Sequence, residues 1–314
     1  MGIKPSITII TPVFNGAKYI SETINSVLGA QINFPYEYLV LDDGSTDLTP
    51  QILHEYQNDI RYYRHENMGE AATVNKGLRL AEGEFILVLN ADDPLLTSDL
   101  INRGLNYLFE NPFIDCIYPD WQIIDDSGKI LKTKIIPEFS DTIMIGHCRC
   151  LPGPGAIFRK NVALQVNGRN VKWKYVGDYD FWLRFSRVGK IEHIAGVMAQ
   201  WRESESSTSI SNRGVAMAQE RILVTANFVE DFNIKSPLKR MAIGNSCYLA
   251  ARLAFFDKKI NGRKLLLSAF KYRKGWPEEA KFSVVIFLLF LPFSRYLVEK
   301  FPNITSSMLR RISK

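Results

Sequence analysis

The residues best suited to chemistry in this chain are aspartates that arrive in pairs at the ends of apolar runs. "YLVLDD" ends in Asp42 and Asp43, and "FILVLNADD" ends in Asn90, Asp92 and Asp93. A carboxylate is costly to desolvate unless something positive meets it, so each run calls for a metal, a basic ligand group or solvent at its tip. Mg²⁺ or Mn²⁺ needs few hard oxygen ligands from a protein when a diphosphate supplies the rest, and one or two carboxylates meet that need. Each motif also has a plainer reading. In the first, Ser45 or Thr46 caps the next helix; in the second, Asp92 or Asp93 covers the amides of a helix that follows Pro94. The two motifs together favour a ligand site.

The elements that must position these residues follow from hydrophobic periodicity. "SITIITPVFN" reads as a buried strand, Ile20, Ile24, Val27 and Leu28 recur at helical spacing, "YEYLVLDD" is a second strand, and Leu48, Ile52, Leu53 and Tyr56 mark a second helix. "IRYYRHE" gives a third strand, "GEAATVNKGLRLAEG" a helix closed by Gly83, and "EFILVLN" a fourth strand. Alternation of this kind implies βαβ units and a mainly parallel sheet, a Rossmann-like half of an α/β fold. Ligands gather at the carboxyl ends of such strands. There stand Thr11, Pro12 and Asn15; Asp42 and Asp43; Glu66 and Asn67; and Asn90, Asp92 and Asp93. Four strand ends thus converge on one acidic crevice. Further on, "IDCIYPDWQIIDDSGKIL" reads as a hairpin, "LPGPGAIFRK" as a loop before a short strand, and "VGDYDFWLRFSRVG" as a helix with Asp178 near its first turn. Trp182, in a helical pattern with Phe181, Phe185 and Val188, is expected in the core.

Composition bounds the possibilities. With 314 residues, 46% of them hydrophobic, the chain has material for one large α/β domain or a domain with an appendage, and it is neither disordered nor fibrous in type. Cys116, Cys148, Cys150 and Cys247 lack CxxC spacing, which predicts reduced thiols rather than a zinc site. No leader pattern opens the sequence, since Ile7 begins a core strand at once, and a cytoplasm-facing protein is expected. The net charge of +6 is divided: from Asp231 onward there are 17 Lys+Arg against 5 Asp+Glu, and before it 22 against 28. A basic tail on an acidic body suggests a polyanionic surface as partner. The apolar run "FSVVIFLLFLPF" at 282–293 lies in that tail and favours lipid over nucleic acid, although it is short for a membrane span. The expected division is a domain over 1–230 and a basic, partly apolar helical extension over 231–314.

The motifs "TPVFNG" at 11–16, "LDDGSTD" at 41–47, "ENMGEAATVNKGL" at 66–78, "LNADD" at 89–93 and "GDYDFWLRF" at 177–185 come in the order of family 2 glycosyltransferases of the GT-A fold, which the chain resembles. The resemblance implies transfer of a sugar, with inversion, from a nucleoside diphosphate sugar to an acceptor hydroxyl. It implies that Thr11 and Pro12 line the nucleotide pocket, that Asp43 holds base or ribose with Asp42 beside it, and that Asp92, then Asp93, binds Mg²⁺ or Mn²⁺. Asp178 matches the family's catalytic base. Two positions depart from the pattern. Asn90 replaces the first aspartate of the metal motif, and Val74 stands where many members carry an arginine, which would pass a phosphate contact to Lys76 or a later residue.

Other positions carry expectations of their own. Asp180 is read as a helix-start carboxylate favoured by the dipole, and "LPGPGAIF" as an acceptor-side loop. Arg202, which follows His193, Gln200 and Trp201 on a strand-like stretch, could neutralise a diphosphate or join a surface ion pair. The activity expected is metal-dependent glycosyl transfer to a carbohydrate or lipid-linked acceptor in surface polysaccharide or lipid-linked oligosaccharide synthesis, peripheral to the inner face of the membrane. One alternative is a nucleotidyltransferase, which the chain lacks the glycine-rich, basic first loop to be. The other is a non-catalytic sugar-nucleotide-binding module, against which Asp178 counts.

Overall fold

A computed structural model describes residues 4–203, 214–254 and 262–273. The four apolar runs form β1 (Ile7–Val13), β2 (Tyr36–Asp42), β3 (Arg61–Arg64) and β4 (Phe85–Val88), joined by α1 (Ile20–Leu28), α2 (Thr49–Glu55) and α3 (Glu70–Leu80). β2 and β4 flank β1 and β3 flanks β2, all parallel, with Val13 opposite Asp42 and Ile10 opposite Val88. Their carboxyl ends therefore share one edge. β1 is buried along its whole length, as a central parallel strand covered on both faces must be.

After α4 (Asp99–Glu110) come β5 (Cys116–Ile124), β6 (Ile130–Lys134), β7 (Ile157–Arg159), α5 (Lys160–Gln165), α6 (Gly177–Phe185) and β8 (Ile191–Arg202). β7 pairs antiparallel with both β4 and β5, so β5 runs in the direction of β4, and β8 lies parallel to β5. The carboxyl end of β8 thus reaches the edge that carries the tips of β1, β2 and β4. Ile9, Ile24, Val40, Phe85, Leu105, Ile117 and Ile157 belong to one core cluster between the sheet and its helices. Trp182 is buried, as its helical pattern requires.

The described chain has two compact units. One runs from β1 to Met144 and resumes at Arg149 through β8; the other joins Ile145–Cys148 to the helices after β8. In the second unit α7 (Gly214–Asp231), α8 (Ser236–Ala254) and α9 (Gly262–Arg273) bury Ala218, Ala250 and Ala269. The run at 282–293 lies outside the described residues. No described helix is long and apolar enough to cross a membrane.

Neither of the plainer capping readings, which the paired motifs disfavoured, describes the structure. α4 begins at Asp99, so neither Asp92 nor Asp93 covers its amides. α2 begins at Thr49, and the Thr49 amide donates to Asp47 Oδ1 at 2.9 Å rather than to Ser45 or Thr46. The turn between β2 and α2 rests on Gly44, whose φ is +77° and whose added Cβ would stand 2.7 Å from the amide nitrogen of Asn67. Gly44→Ala is expected to cost roughly 1–3 kcal/mol through backbone strain and that clash. A lowered urea midpoint, with an unchanged slope, checks it.

Candidate active site

The ends of β1 and β2 are tied into one platform by side-chain to backbone bonds. Asn15, at φ 52°, accepts the Thr46 amide on Oδ1 at 2.8 Å, while its own amide donates to Ser45 Oγ at 2.9 Å. Asp42 is fully buried, accepts the Ser45 amide at 2.8 Å and pairs with Arg64 at 3.2 Å. Asp43, also buried, accepts the amides of Met68 and Gly69 at 2.7 and 2.9 Å. Its carboxylate therefore fixes the 66–69 loop, on which Asn67 stands exposed, at the start of α3. Thr11 and Pro12 are buried, and the Thr11 hydroxyl is 3.2 Å from Tyr38 Oη. Thr11 thus supports the floor of the crevice from beneath. Lys76 is half-buried six residues beyond Glu70, about 9 Å along the α3 axis from the edge. Val74 is a core residue, 1% exposed.

At the tip of β4 the charge question of the sequence is answered by Arg202. This side chain is 1% exposed. Its Nε donates to the Asp92 carbonyl at 2.9 Å, its Nη1 to the Asp125 and Asp126 carbonyls at 3.0 Å each, and its Nη2 to Glu22 at 2.7 Å. The Tyr19 ring lies 4.8 Å below the guanidinium carbon. Neither a surface ion pair nor a guanidinium free to meet a diphosphate describes this residue. It is a buried tie among α1, the β4 tip, the turn after β5 and its own strand. The alternation Gln200–Trp201–Arg202 was the signal available in the sequence, because Gln200, two residues earlier, also reaches the β4 tip through the Pro94 carbonyl at 2.9 Å.

Asp93 is 2% exposed and accepts the Arg202 amide at 2.7 Å and the Asn90 side-chain amide at 2.8 Å. Burial pushes its carboxyl up to about 7, Asp92 adds to the push, and those two bonds oppose it. Asp92 is half-buried; burial raises it as well, with Glu70 adding and Arg202 opposing. Among the described residues no group of three or more His, Cys, Asp and Glu could hold a metal. The donor set fits a cation that takes its remaining oxygens from a ligand. Asp92 accepts no side-chain hydrogen bond from the described residues, and each Asp93 oxygen keeps a lone pair beyond its single bond.

Asp178 and Asp180, two residues apart, have different surroundings. Asp180 is buried, pairs with Arg184 at 2.6 Å and accepts the Trp173 indole N–H at 3.1 Å. Asp178 is exposed at the first turn of α6, with one oxygen on the Tyr179 amide at 2.7 Å. The segment before α6 is moored to α3. Asn75 exchanges two bonds of 2.7 Å with the Arg169 backbone, and Arg169 pairs with Glu70 at 2.6 Å, the acid that acts on Asp92.

Two outcomes follow from this wiring. Arg202→Met strands three carbonyls and the acids beside them, so stability should fall by about 3–5 kcal/mol in urea unfolding, with Arg202→Lys intermediate. Separately, the folded chain holds the Asp93 proton more tightly than the unfolded chain does. This group's contribution to stability is therefore full below the ordinary carboxylate value and is lost as pH rises to about 7. The difference in unfolding free energy between the metal-free protein and Asp93→Asn should change across that window and be flat above it.

The profile of Glycosyl transferase family 2 matches residues 8–163. An uncharacterised glycosyltransferase of Rickettsia prowazekii (strain Madrid E) is 32% identical over 268 residues, which is 82% of this chain and 81% of that one. The chain spans only 47% of a longer relative in Rickettsia conorii. Among solved structures, Staphylococcus aureus TarS 1-349 in complex with UDP-GlcNAc superposes with a TM-score of 0.65 at 18% identity, over 94% of this chain and 87% of that one. Mannosyltransferase PcManGT of Pyrobaculum calidifontis, in complex with GDP-Man and Mn²⁺, superposes with a TM-score of 0.55 at 16% identity, over 99% and 85%. The fold is that of these GT-A enzymes, and the chain belongs to glycosyltransferase family 2.

Proposed function

We infer that this glycosyltransferase moves a sugar from a nucleoside diphosphate sugar to an acceptor hydroxyl with inversion. The observation that carries the reading is the acidic β4 tip, where Asp92 lacks a side-chain partner among the described residues while Asp93 is held firm beside it. The ligands in the two solved neighbours, UDP-GlcNAc in one and GDP-Man with Mn²⁺ in the other, support it. Asp92 and Asp93 would hold a divalent cation, which supplies Lewis-acid stabilisation of the charge that develops on a leaving diphosphate. Asn15, Asn67, Asp42 and Asp43 frame the nucleotide side, with Thr11 and Pro12 as its floor, while Asn90 positions Asp93. Lys76 would need a long reach to a phosphate at that edge, and it is the weakest member of the set.

Asp178 is the base in this reading. Its exposed carboxylate can take the proton of an acceptor hydroxyl as that oxygen attacks, whereas both Asp180 oxygens are occupied by structural partners. The acidic body with a basic, partly apolar tail supports a lipid-linked or cell-surface acceptor. Residues 231–314 would form the extension that meets it.

Two measurements test the proposal. Hydrolysis or transfer from a panel of nucleotide sugars should require Mg²⁺ or Mn²⁺ and be lost with chelator or Asp92→Ala; unaltered donor binding under both treatments removes the metal from the mechanism. Asp178→Asn should keep donor affinity and slow transfer by roughly 10²-fold or more, since it cannot accept a proton. Asp180→Asn should instead lower thermal stability, with a smaller loss of turnover in the fraction that stays folded. A near wild-type rate for Asp178→Asn assigns the base elsewhere.

A further inference from the structure

The sheet has an uncovered extension that the donor site does not use. From Asp120 to Ile124 burial alternates along β5. Gln122 and Ile124 face inward, and Trp121 and Ile123 are half-exposed on the other side. Alternation of this kind marks a strand with one face on the core and one open. β6 and β8 lie on either side of this stretch. Across them the register sets Lys134, Trp121 and Ala199 in one row, and Lys132, Ile123 and Trp201 in the next. Paired residues point to the same face, so this face carries two half-exposed tryptophans and two lysines, with Ala199 buried beside Gly155. The indoles meet edge to face, with centroids 6.5 Å apart at 85°.

The surroundings of this face point to a ligand of definite chemistry. Burial lowers the Lys134 amine, and Lys132 and Arg149 lower it further, with Glu203 opposing. Lys132 and Lys134 therefore stand on this face by register, with the Arg149 charge near Lys134. Gly153, in the "LPGPG" loop, sits beside the Trp121 ring, where an added Cβ would come within 3.3 Å of Nε1. Trp201 precedes Arg202 on β8, so its indole leaves the sheet on the face opposite the guanidinium that holds the Asp92 carbonyl. Flat apolar rings bind the C–H face of a pyranose ring, and clustered ammonium and guanidinium groups bind carboxylate or phosphate.

We propose that the open face of β6, β5 and β8 is the acceptor subsite and that it takes an anionic saccharide, with Trp121 and Trp201 as the sugar platform and Lys132, Lys134 and Arg149 as the anion contacts. This rests on the reading of the chain as a sugar-transferring enzyme.

The test uses the full chain and hexasaccharides of glucuronate and of galacturonate, each beside its uncharged counterpart, with binding read by indole fluorescence and calorimetry. The carboxylated sugars should bind, with affinity that falls as salt rises. Trp121→Ala and Trp201→Ala should each weaken them roughly tenfold, the worth of one lost aromatic contact. Lys132→Ala, at an exposed position that folding does not need, should erase part of the preference for the charged sugar. Equal binding of charged and uncharged sugars overturns the anionic class. Absence of binding, or binding unaffected by both tryptophan substitutions and Lys132→Ala, overturns the subsite. Nucleotide-sugar hydrolysis by the unaltered chain reads the catalytic assignment separately: hydrolysis without saccharide binding sinks the subsite alone, and saccharide binding without hydrolysis sinks the enzymatic reading alone.

Discussion

The buried guanidinium of Arg202 is the constraint around which the acidic edge of the sheet is organised. Acidic strand tips repel one another and are costly to bury, and this edge gathers Asp92, Asp93, Asp125, Asp126 and Glu22 within reach of one side chain. A planar group with five fixed donors can satisfy several carbonyls and a carboxylate at once, which a lysine at the same place cannot do. The Tyr19 ring beneath it shields the cluster from water and gains from the positive charge above. Arg202 engages Asp92 through its backbone carbonyl and leaves the carboxylate without a side-chain hydrogen bond from the described residues.

The same economy of roles runs through the other carboxylates. Asp42 and Asp43 hold turns and loop amides, and Asp180 holds Arg184 and Trp173, so each spends its charge on neighbours within the fold. Among these acids, Asp92 accepts no side-chain hydrogen bond from the described residues, and exposed Asp178 has only the Tyr179 amide. Charged groups cluster at such sites for structural and chemical reasons together, and hydrogen-bond partners separate the two. Here the acids with internal partners brace the frame on which Asp92 and Asp178 stand.

The sheet is itself divided between two tasks. Its parallel half, β3-β2-β1-β4, presents strand ends in the manner of an open α/β ligand site. Beyond β7 the strands β5, β6 and β8 leave one face open instead of covering both. That asymmetry gives the outer strands an aromatic and cationic surface, opposite in charge to the acidic tip.

By itself the sequence determined the elements and their order. Continuous apolar runs mark β1, β2 and β4, which are covered on both faces, a period of 3.6 marks α1 to α3, which bury one face, and the polar residues that end each run mark the carboxyl edge of the sheet. The motifs add the family and the candidate acids, Asp178 among them. Tertiary structure alone decided which polar residues are spent internally. The Thr11 hydroxyl turns inward to Tyr38, the Asp43 carboxylate closes on a loop 25 positions away, and Arg202 reaches Glu22 across 180 positions of chain. Local patterning is a property of neighbours within a few residues, whereas the partner of a buried charge is chosen by the crossing of distant strands. The pairing of Trp121 and Trp201 across β5 and β8 is of that second kind, since register and not spacing brings the two rings to one face.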